Sequence, residues 1–216
     1  MRASGRAEKA LVAASMAAGL GYPLLWDAGL PFAAEVALKG SGVAFLALAA
    51  ALFAPRRDGR LLALVLACGA AGDVLLELAF MAGVIAFALG HAIAILLYLQ
   101  NRRVTAQTVE YAVPALLLAF GAAMPFLLLS ADEGALTFLP YSLLLSAMAA
   151  AAWLSRFPRA LTGLGAMLFV VSDALIAIRM GGDAMAGISL AVWLFYYAAQ
   201  ALIFAGVRTP LPPRER

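Results

Sequence analysis

The chain has 216 residues, of which 65% are hydrophobic and 12% are charged, and its formal net charge is +3. Soluble domains have roughly 45–50% apolar and about 25% charged residues, so this composition excludes an ordinary soluble domain and a disordered chain. One cysteine, Cys68, excludes an intrachain disulfide, and one histidine, His91, excludes a zinc site with several histidine ligands. The positive charge is scattered through short loops, so no nucleic-acid surface is predicted.

Long apolar runs dominate the chain, and a helix needs about 20 apolar residues to cross a bilayer. They predict an all-α membrane protein with eight transmembrane helices in a single integral-membrane domain, residues 1–216. In chain order the predicted spans are 8–26, 33–54, 61–80, 83–100, 109–130, 135–155, 160–179 and 186–207.

The first apolar run and the boundary between the third and fourth spans differ from the rest of this pattern. The first run follows Arg2, Arg6 and Lys9 and so resembles a signal peptide, but it is longer than a typical signal-peptide core. We expect it to be a retained helix. The boundary between the third and fourth spans is marked only by Met81-Ala82-Gly83, which requires a tight turn there.

The basic residues predict the orientation. All of the 15 Lys and Arg residues except Lys39 and Arg179 fall at the termini or in loops on one side of the predicted membrane. By the positive-inside rule both termini are cytoplasmic, in what we expect to be a bacterial cytoplasmic (inner) membrane. The loops on the opposite side carry acidic residues, namely Asp27, Asp132, Glu133 and Asp183.

A short internal similarity links the third and seventh spans. Residues 72–76 read GDVLL and residues 172–176 read SDALI, and both spans run outward. This pattern fits a 4+4 parallel duplication about an axis along the membrane normal.

Polar residues inside the spans share one depth. At a rise of about 1.5 Å per residue they fall between the midplane and the outer third of the bilayer. Because ionisable groups within a membrane are costly, they are expected to face a common cavity or a partner. The ionisable members are Lys39, Asp73, Glu77, His91 and Asp173, and the softer ones are Tyr141, Tyr196, Tyr197 and Gln200.

The acidic residues of this layer predict acid–base chemistry. Asp73 and Glu77 are four residues apart and share a helix face. Two buried carboxyl groups cannot both ionise cheaply, so one is expected to keep its proton unless Lys39 or a protonated His91 lies close, and the same holds if Asp73 faces Asp173. A protonated and an ionised carboxyl group side by side form a general acid–base pair.

A structural interpretation stays open for each of these residues. The two aspartates could anchor helices to one another, and His91 could make a helix–helix hydrogen bond. Lys39 and Glu77 could extend to the membrane interface. The tyrosines could serve packing alone.

Four segments carry a resemblance to a known family: 72–77 (GDVLLE), 83–91 (GVIAFALGH), 165–175 (GAMLFVVSDAL) and 196–200 (YYAAQ). Together they resemble the YhhN family of eight-span membrane proteins, whose animal members are lysoplasmalogenases. The resemblance runs in order from the second to the eighth span. One departure is Gly40, which follows Lys39 where the family has proline.

The resemblance implies hydrolysis of the vinyl ether of a lysoplasmalogen, which releases a fatty aldehyde and a glycerophospho-base. Such a reaction begins with proton transfer to carbon and passes through an oxocarbenium-like cation, a problem that glycosidases solve with two carboxyl groups. The implied partners are a lysophospholipid substrate and membrane lipids. No metal or cofactor is required, and the sequence does not specify an oligomeric state.

Residue roles follow from this reading as hypotheses. Asp73 and Asp173 form the acid–base pair, in either order, and His91 positions water or shares the proton. Lys39 pairs with the phosphate. The remaining substrate-binding residues are predicted to be Glu77, Tyr141, Ser172, Tyr197 and Gln200.

Three other functions remain as alternatives. The first is a proton-coupled transporter, although nothing ionisable lines the predicted cytoplasmic half of the spans. The second is a metal-dependent lipid amidase or phosphohydrolase with Asp73, Glu77, His91 and Asp173 as ligands. The third is a non-catalytic lipid-binding or scaffold protein. A serine hydrolase is disfavoured, because the chain has no Gly-x-Ser-x-Gly motif.

Overall fold

A computed structural model describes residues 2–52, 57–103, 107–129, 134–182 and 186–211. Within these ranges the secondary structure is helical, without a β-strand. The helices are α1 Arg2–Gly21, α2 Phe32–Leu52, α3 Arg57–Leu78, α4 Phe80–Gln100, α5 Ala112–Leu128, α6 Ala135–Leu154, α7 Leu164–Met180 and α8 Ile188–Arg208. Short 3₁₀ turns at Tyr22–Leu25 and Thr108–Tyr111 follow α1 and precede α5, and a π turn at Arg159–Gly163 precedes α7.

Among the helices in these described ranges, seven are long and apolar enough to cross a membrane. They are α2 to α8, with α5 and α7 extended by the turns that precede them. The all-helical, multi-pass membrane protein predicted from the sequence is therefore confirmed, and the predicted ends of spans two to eight lie close to those found. The largest difference is at the third span, predicted from residue 61 and found from Arg57.

The first predicted span, 8–26, is not among these seven helices. Arg6, Glu8 and Lys9 lie in the first half of α1, and its apolar remainder is shorter than the length that crosses a bilayer. An eighth membrane crossing, the orientation and the 4+4 repeat therefore stay predictions. Part of the orientation argument rests on residues outside the described ranges: Arg56, Asp132, Glu133, Asp183, Arg214 and Arg216.

Helix α1 is nevertheless packed into the bundle. The Ser15 hydroxyl donates to the carbonyl of Gly42 in α2 at 2.6 Å, and the Trp193 indole N–H of α8 donates to the carbonyl of Gly19 at 2.6 Å. A Cβ atom at Gly19 would lie 2.2 Å from the Tyr197 ring, so only glycine allows this approach of α1 to α8. These contacts fasten α1 to α2 and α8.

The turn between α3 and α4 is as tight as expected but lies earlier than predicted. Helix α3 ends at Leu78, Ala79 is extended with φ −156° and ψ 92°, and α4 begins at Phe80. The antiparallel helices then approach closely, since a Cβ at Gly83 would be 2.6 Å from the backbone nitrogen of Leu76. This hairpin places the end of α3 against the start of α4.

The two ends of the bundle differ. At the end predicted to be cytoplasmic, the Asn101 amide donates to Asp58 at 2.9 Å, and Glu110 pairs with both Arg103 and Arg159. Buried apolar residues fill the interior between the helices, among them Leu46, Leu62, Leu66, Leu97, Leu145 and Met148. At the opposite end, where α3, α5 and α7 finish and α2, α4, α6 and α8 begin, the helices surround a cavity.

Candidate active site

A cavity of about 400 Å³ opens at this end of the bundle. Its wall combines apolar and aromatic side chains with a few charged groups, the composition typical of a small-molecule site. The charged residues on the wall are Glu35, Lys39, Asp73, Glu77, Asp173 and Arg179. Part of the polar set that was predicted to share one cavity therefore lines this cavity.

Asp73, in α3, is 2% exposed and lies on the cavity wall. The Tyr196 hydroxyl of α8 donates to its Oδ2 atom at 2.8 Å. One turn further along α8, the Gln200 side-chain amide donates to the Tyr196 oxygen at 3.3 Å. Gly69 makes room for this pair, because a Cβ there would be 2.7 Å from the Gln200 amide nitrogen. We call this chain of contacts, from Asp73 through Tyr196 to Gln200, the Asp73 arm.

Asp173, in α7, has a matching arrangement. The Tyr141 hydroxyl of α6 donates to its Oδ2 atom at 2.6 Å, and His91 Nε2 of α4 lies 3.4 Å from the Tyr141 oxygen. Because Tyr141 gives its only proton to Asp173, His91 Nε2 acts as the donor to Tyr141. Asp173 is partly exposed, unlike Asp73. We call the contacts from Asp173 through Tyr141 to His91 the Asp173 arm.

Lys39 and Glu77 form an ion pair on the same wall. Their Nζ and Oε1 atoms are 2.5 Å apart, and their side chains are 16% and 41% exposed. Glu77 and Asp73 both line the cavity, as their shared helix face predicts. The lysine predicted to contact phosphate therefore already has a carboxylate partner.

The structure brings some predicted site residues onto the wall and leaves others behind it. Those on the wall are Lys39, Asp73, Glu77, Tyr141, Ser172 and Asp173. The Ser172 hydroxyl donates to the carbonyl of Val192 at 2.9 Å, so it also fastens α7 to α8.

His91, Tyr197 and Gln200 do not line the cavity. His91 and Gln200 each lie behind a tyrosine, as the two arms show. Tyr197 faces α1 instead, where its hydroxyl is 2.9 Å from the Ser15 hydroxyl and its ring stacks on Trp193. These three residues belong to the predicted polar layer but do not face the cavity.

The wall also includes Glu35, Arg179, Trp193 and Tyr196, which were not assigned to the site from the sequence. Tyr196 belongs to the predicted polar layer, and its i, i+4 spacing to Gln200 was a usable signal. Arg179 was the one cation counted on the outer side. Its Nη1 atom donates to the Ser189 hydroxyl at 3.2 Å.

No group of three or more His, Cys, Asp or Glu side chains is placed to hold a metal ion in the part of the chain that the structure describes. Asp73, Glu77 and Asp173, from the ligand set of the metal-dependent alternative, line the same cavity, but with His91 they are not arranged to hold one ion.

Comparison with known proteins gives two kinds of match. A sequence model of the YhhN family matches residues 34–207, from the first turn of α2 to the end of α8. A lysoplasmalogenase of Mycobacterium bovis is 34% identical over 184 residues, covering 80% of this chain and 69% of that protein. A lysoplasmalogenase of Mycobacterium tuberculosis matches with the same figures. No solved structure matches the chain.

Proposed function

The chain belongs to the YhhN family, and on this basis we propose that it is an intramembrane lipid hydrolase that cleaves the vinyl ether of a lysoplasmalogen. The products are a fatty aldehyde and a glycerophospho-base. The observation that carries the proposal is the pair of carboxyl groups on one apolar cavity wall, Asp73 and Asp173, each held by a tyrosine hydroxyl.

The reaction needs an acid and a base. A carboxylic acid transfers its proton to the vinyl carbon distal to oxygen, which leaves a cation shared between the other vinyl carbon and the ether oxygen. Water adds to that carbon while a carboxylate takes one of its protons, and a hemiacetal forms. The hemiacetal hydroxyl then loses its proton, its carbon–oxygen bond to glycerol breaks, and the glycerol oxygen is protonated. Substrate and one water thus become aldehyde and alcohol.

Burial divides these roles between the two residues. A deeply buried carboxyl group without an ion-pair partner costs less free energy when neutral than when charged. Asp73 is the more buried of the pair, so we assign it the proton transfer to carbon. Asp173 is partly exposed, so we assign it the role of the base that takes a proton from the attacking water. Tyr196 and Tyr141 both bond to an Oδ2 atom, which orients each carboxyl group and directs the chemistry to Oδ1.

The cavity also suggests how the lipid is held. Its apolar wall, which includes Val84, Phe87, Phe138 and Phe169, suits the alkenyl chain. Arg179 is on the wall at the end of α7, and Lys39 is already paired with Glu77. We therefore extend the phosphate-binding role predicted for Lys39 to Arg179, since guanidinium groups bind phosphate oxygens in pairs.

Aldehyde release tests this function. Purified protein in detergent is incubated with a lysoplasmenyl-ethanolamine, with and without chelator, beside Asp73→Asn, Asp173→Asn and the wall variant Glu35→Gln as a matched control. General acid–base groups contribute about 10²–10⁴-fold, so each aspartate variant should lose activity by that factor while Glu35→Gln stays active. Full activity in either folded aspartate variant would contradict the assigned roles. Proton-dependent uptake into proteoliposomes without aldehyde release would favour the transporter instead.

A further inference from the structure

A second, much smaller pocket lies beside the cavity. Its volume is about 20 Å³, and Phe87 and Phe169 line both spaces. All of its lining residues are buried. Most are apolar, and the polar ones are His91, Tyr98 and Gln200. The pocket therefore lies where the far ends of the Asp73 arm and the Asp173 arm meet.

Two polar atoms on this pocket's residues lack a partner. Gln200 Oε1 and the Tyr98 hydroxyl make no hydrogen bond to any residue that the structure describes, although the side chains are 2% and 1% exposed. Buried polar groups are nearly always paired with protein or with ordered water. Both atoms thus point to a small polar ligand.

The hydrogen bonds fix how these groups are oriented. Tyr196 donates to Asp73, so its oxygen must accept from the amide nitrogen of Gln200, which directs Gln200 Oε1 away from Tyr196. Tyr98 follows His91 by seven residues on one face of α4. Because long side chains on a helix lean toward its N-terminus, the Tyr98 hydroxyl extends toward the level of His91.

We propose that an ordered water molecule binds in this pocket and joins the two arms. A water needs about 10–15 Å³ and two to four polar partners, which this pocket supplies. The water donates to Gln200 Oε1 and to Nδ1 of a neutral His91, whose Nε2–H is directed to Tyr141. It accepts from the Tyr98 hydroxyl. Each of its bonds then meets a group of the right polarity.

The water makes one continuous network out of two separate arms. It runs from Asp73 through Tyr196 and Gln200 to the water, and on through His91 and Tyr141 to Asp173. This consequence rests on the proposed hydrolysis. In it, Gln200, His91 and Tyr98 are positioning residues that hold the two tyrosine hydroxyls on the catalytic carboxyl groups without touching the substrate.

The substitution Tyr98→Phe tests for the water, because the direction in which the thermal unfolding midpoint changes depends on whether the Tyr98 hydroxyl has a partner. If the hydroxyl is bonded to water, its removal should lower the thermal unfolding midpoint by about 2–4 °C. If the hydroxyl is buried without a partner, its removal should leave the midpoint unchanged or raise it, and the proposal fails. Tyr111→Phe, at a tyrosine that is 43% exposed, is the matched control. Density for a water between Gln200 and His91 in a high-resolution structure of the wild type is the second measurement, and its absence would overturn the proposal.

Kinetics separate this proposal from the function on which it rests. Tyr98→Phe should lower kcat for vinyl ether hydrolysis with KM unchanged, because Tyr98 does not line the substrate cavity. If the wild type shows the water but releases no aldehyde, the proposed function fails and the water site stands. If aldehyde is released but the pocket contains no water, the water proposal fails and the proposed function stands.

Discussion

Replacing Tyr141 with phenylalanine tests the Asp173 arm most sharply. The substitution keeps the ring in place and removes one oxygen. The Tyr141 hydroxyl donates to Asp173 Oδ2 at 2.6 Å, and its oxygen lies 3.4 Å from His91 Nε2. A hydrogen bond to a charged group contributes about 1.5–3 kcal/mol, and each 1.36 kcal/mol is tenfold in rate. We therefore expect kcat/KM to fall by about 10- to 150-fold, less than for loss of the carboxyl group itself.

The assay is fatty-aldehyde release at substrate concentrations well below KM, with Tyr111→Phe as the exposed control. In an Asp173→Asn background, Tyr141→Phe should have little further effect, because the two residues act together. The reasoning is refuted if folded Tyr141→Phe keeps the kcat/KM of the control. It is also refuted if the two substitutions lower the rate by independent factors.

Three further predictions follow from contacts around the cavity. Lys39→Met leaves Glu77 without its partner and should lower the unfolding midpoint by about 2–4 °C, with Glu77→Gln in the same chain restoring it; an unchanged midpoint in the single variant would contradict a stabilising pair. Gly83→Ala places a Cβ atom 2.6 Å from the Leu76 backbone nitrogen and should cost about 1–3 kcal/mol in a denaturant unfolding experiment, whereas an unaltered stability would contradict the close α3–α4 packing. Arg179→Gln should raise KM about tenfold with kcat nearly constant, as expected for loss of a phosphate contact, and a fall in kcat alone would exclude that role.

The sequence predicted most of the helices because apolar length is a local property. Spans two to eight needed only runs of apolar residues between short polar loops. The first span is the exception, because Arg6, Glu8 and Lys9 are part of the same helix as the apolar run. Its packing against α2 and α8 depends on contacts such as Ser15 to Gly42, which no local pattern specifies.

The sequence predicts how far along each helix the polar residues lie, but it predicts less well which side of the helix faces the cavity. Asp73 and Glu77 were placed together by their i, i+4 spacing, and both line the cavity. Tyr196 and Tyr197 have almost the same depth, yet they point about 100° apart around α8. The contacts of Tyr197 with Ser15 and Gly19 show that it faces α1, whereas Tyr196 lines the cavity.

His91 illustrates a second limit of the sequence analysis. A polar residue of the predicted layer can line the cavity itself or bond to a residue that lines it. These two cases have the same sequence pattern. The structure distinguishes them, because the Tyr141 hydroxyl contacts both His91 and Asp173. Gln200 stands behind Tyr196 in the same way.

Proton transfer to carbon is the central claim, and hydrolysis in D₂O measures it directly. The exchangeable acid is then deuterated, so the account predicts one deuterium on the carbon next to the carbonyl of the released aldehyde. The aldehyde is reduced at once to the alcohol and analysed by mass spectrometry, and authentic aldehyde incubated with the protein in D₂O controls for later exchange. Aldehyde released without deuterium at that carbon would contradict the account.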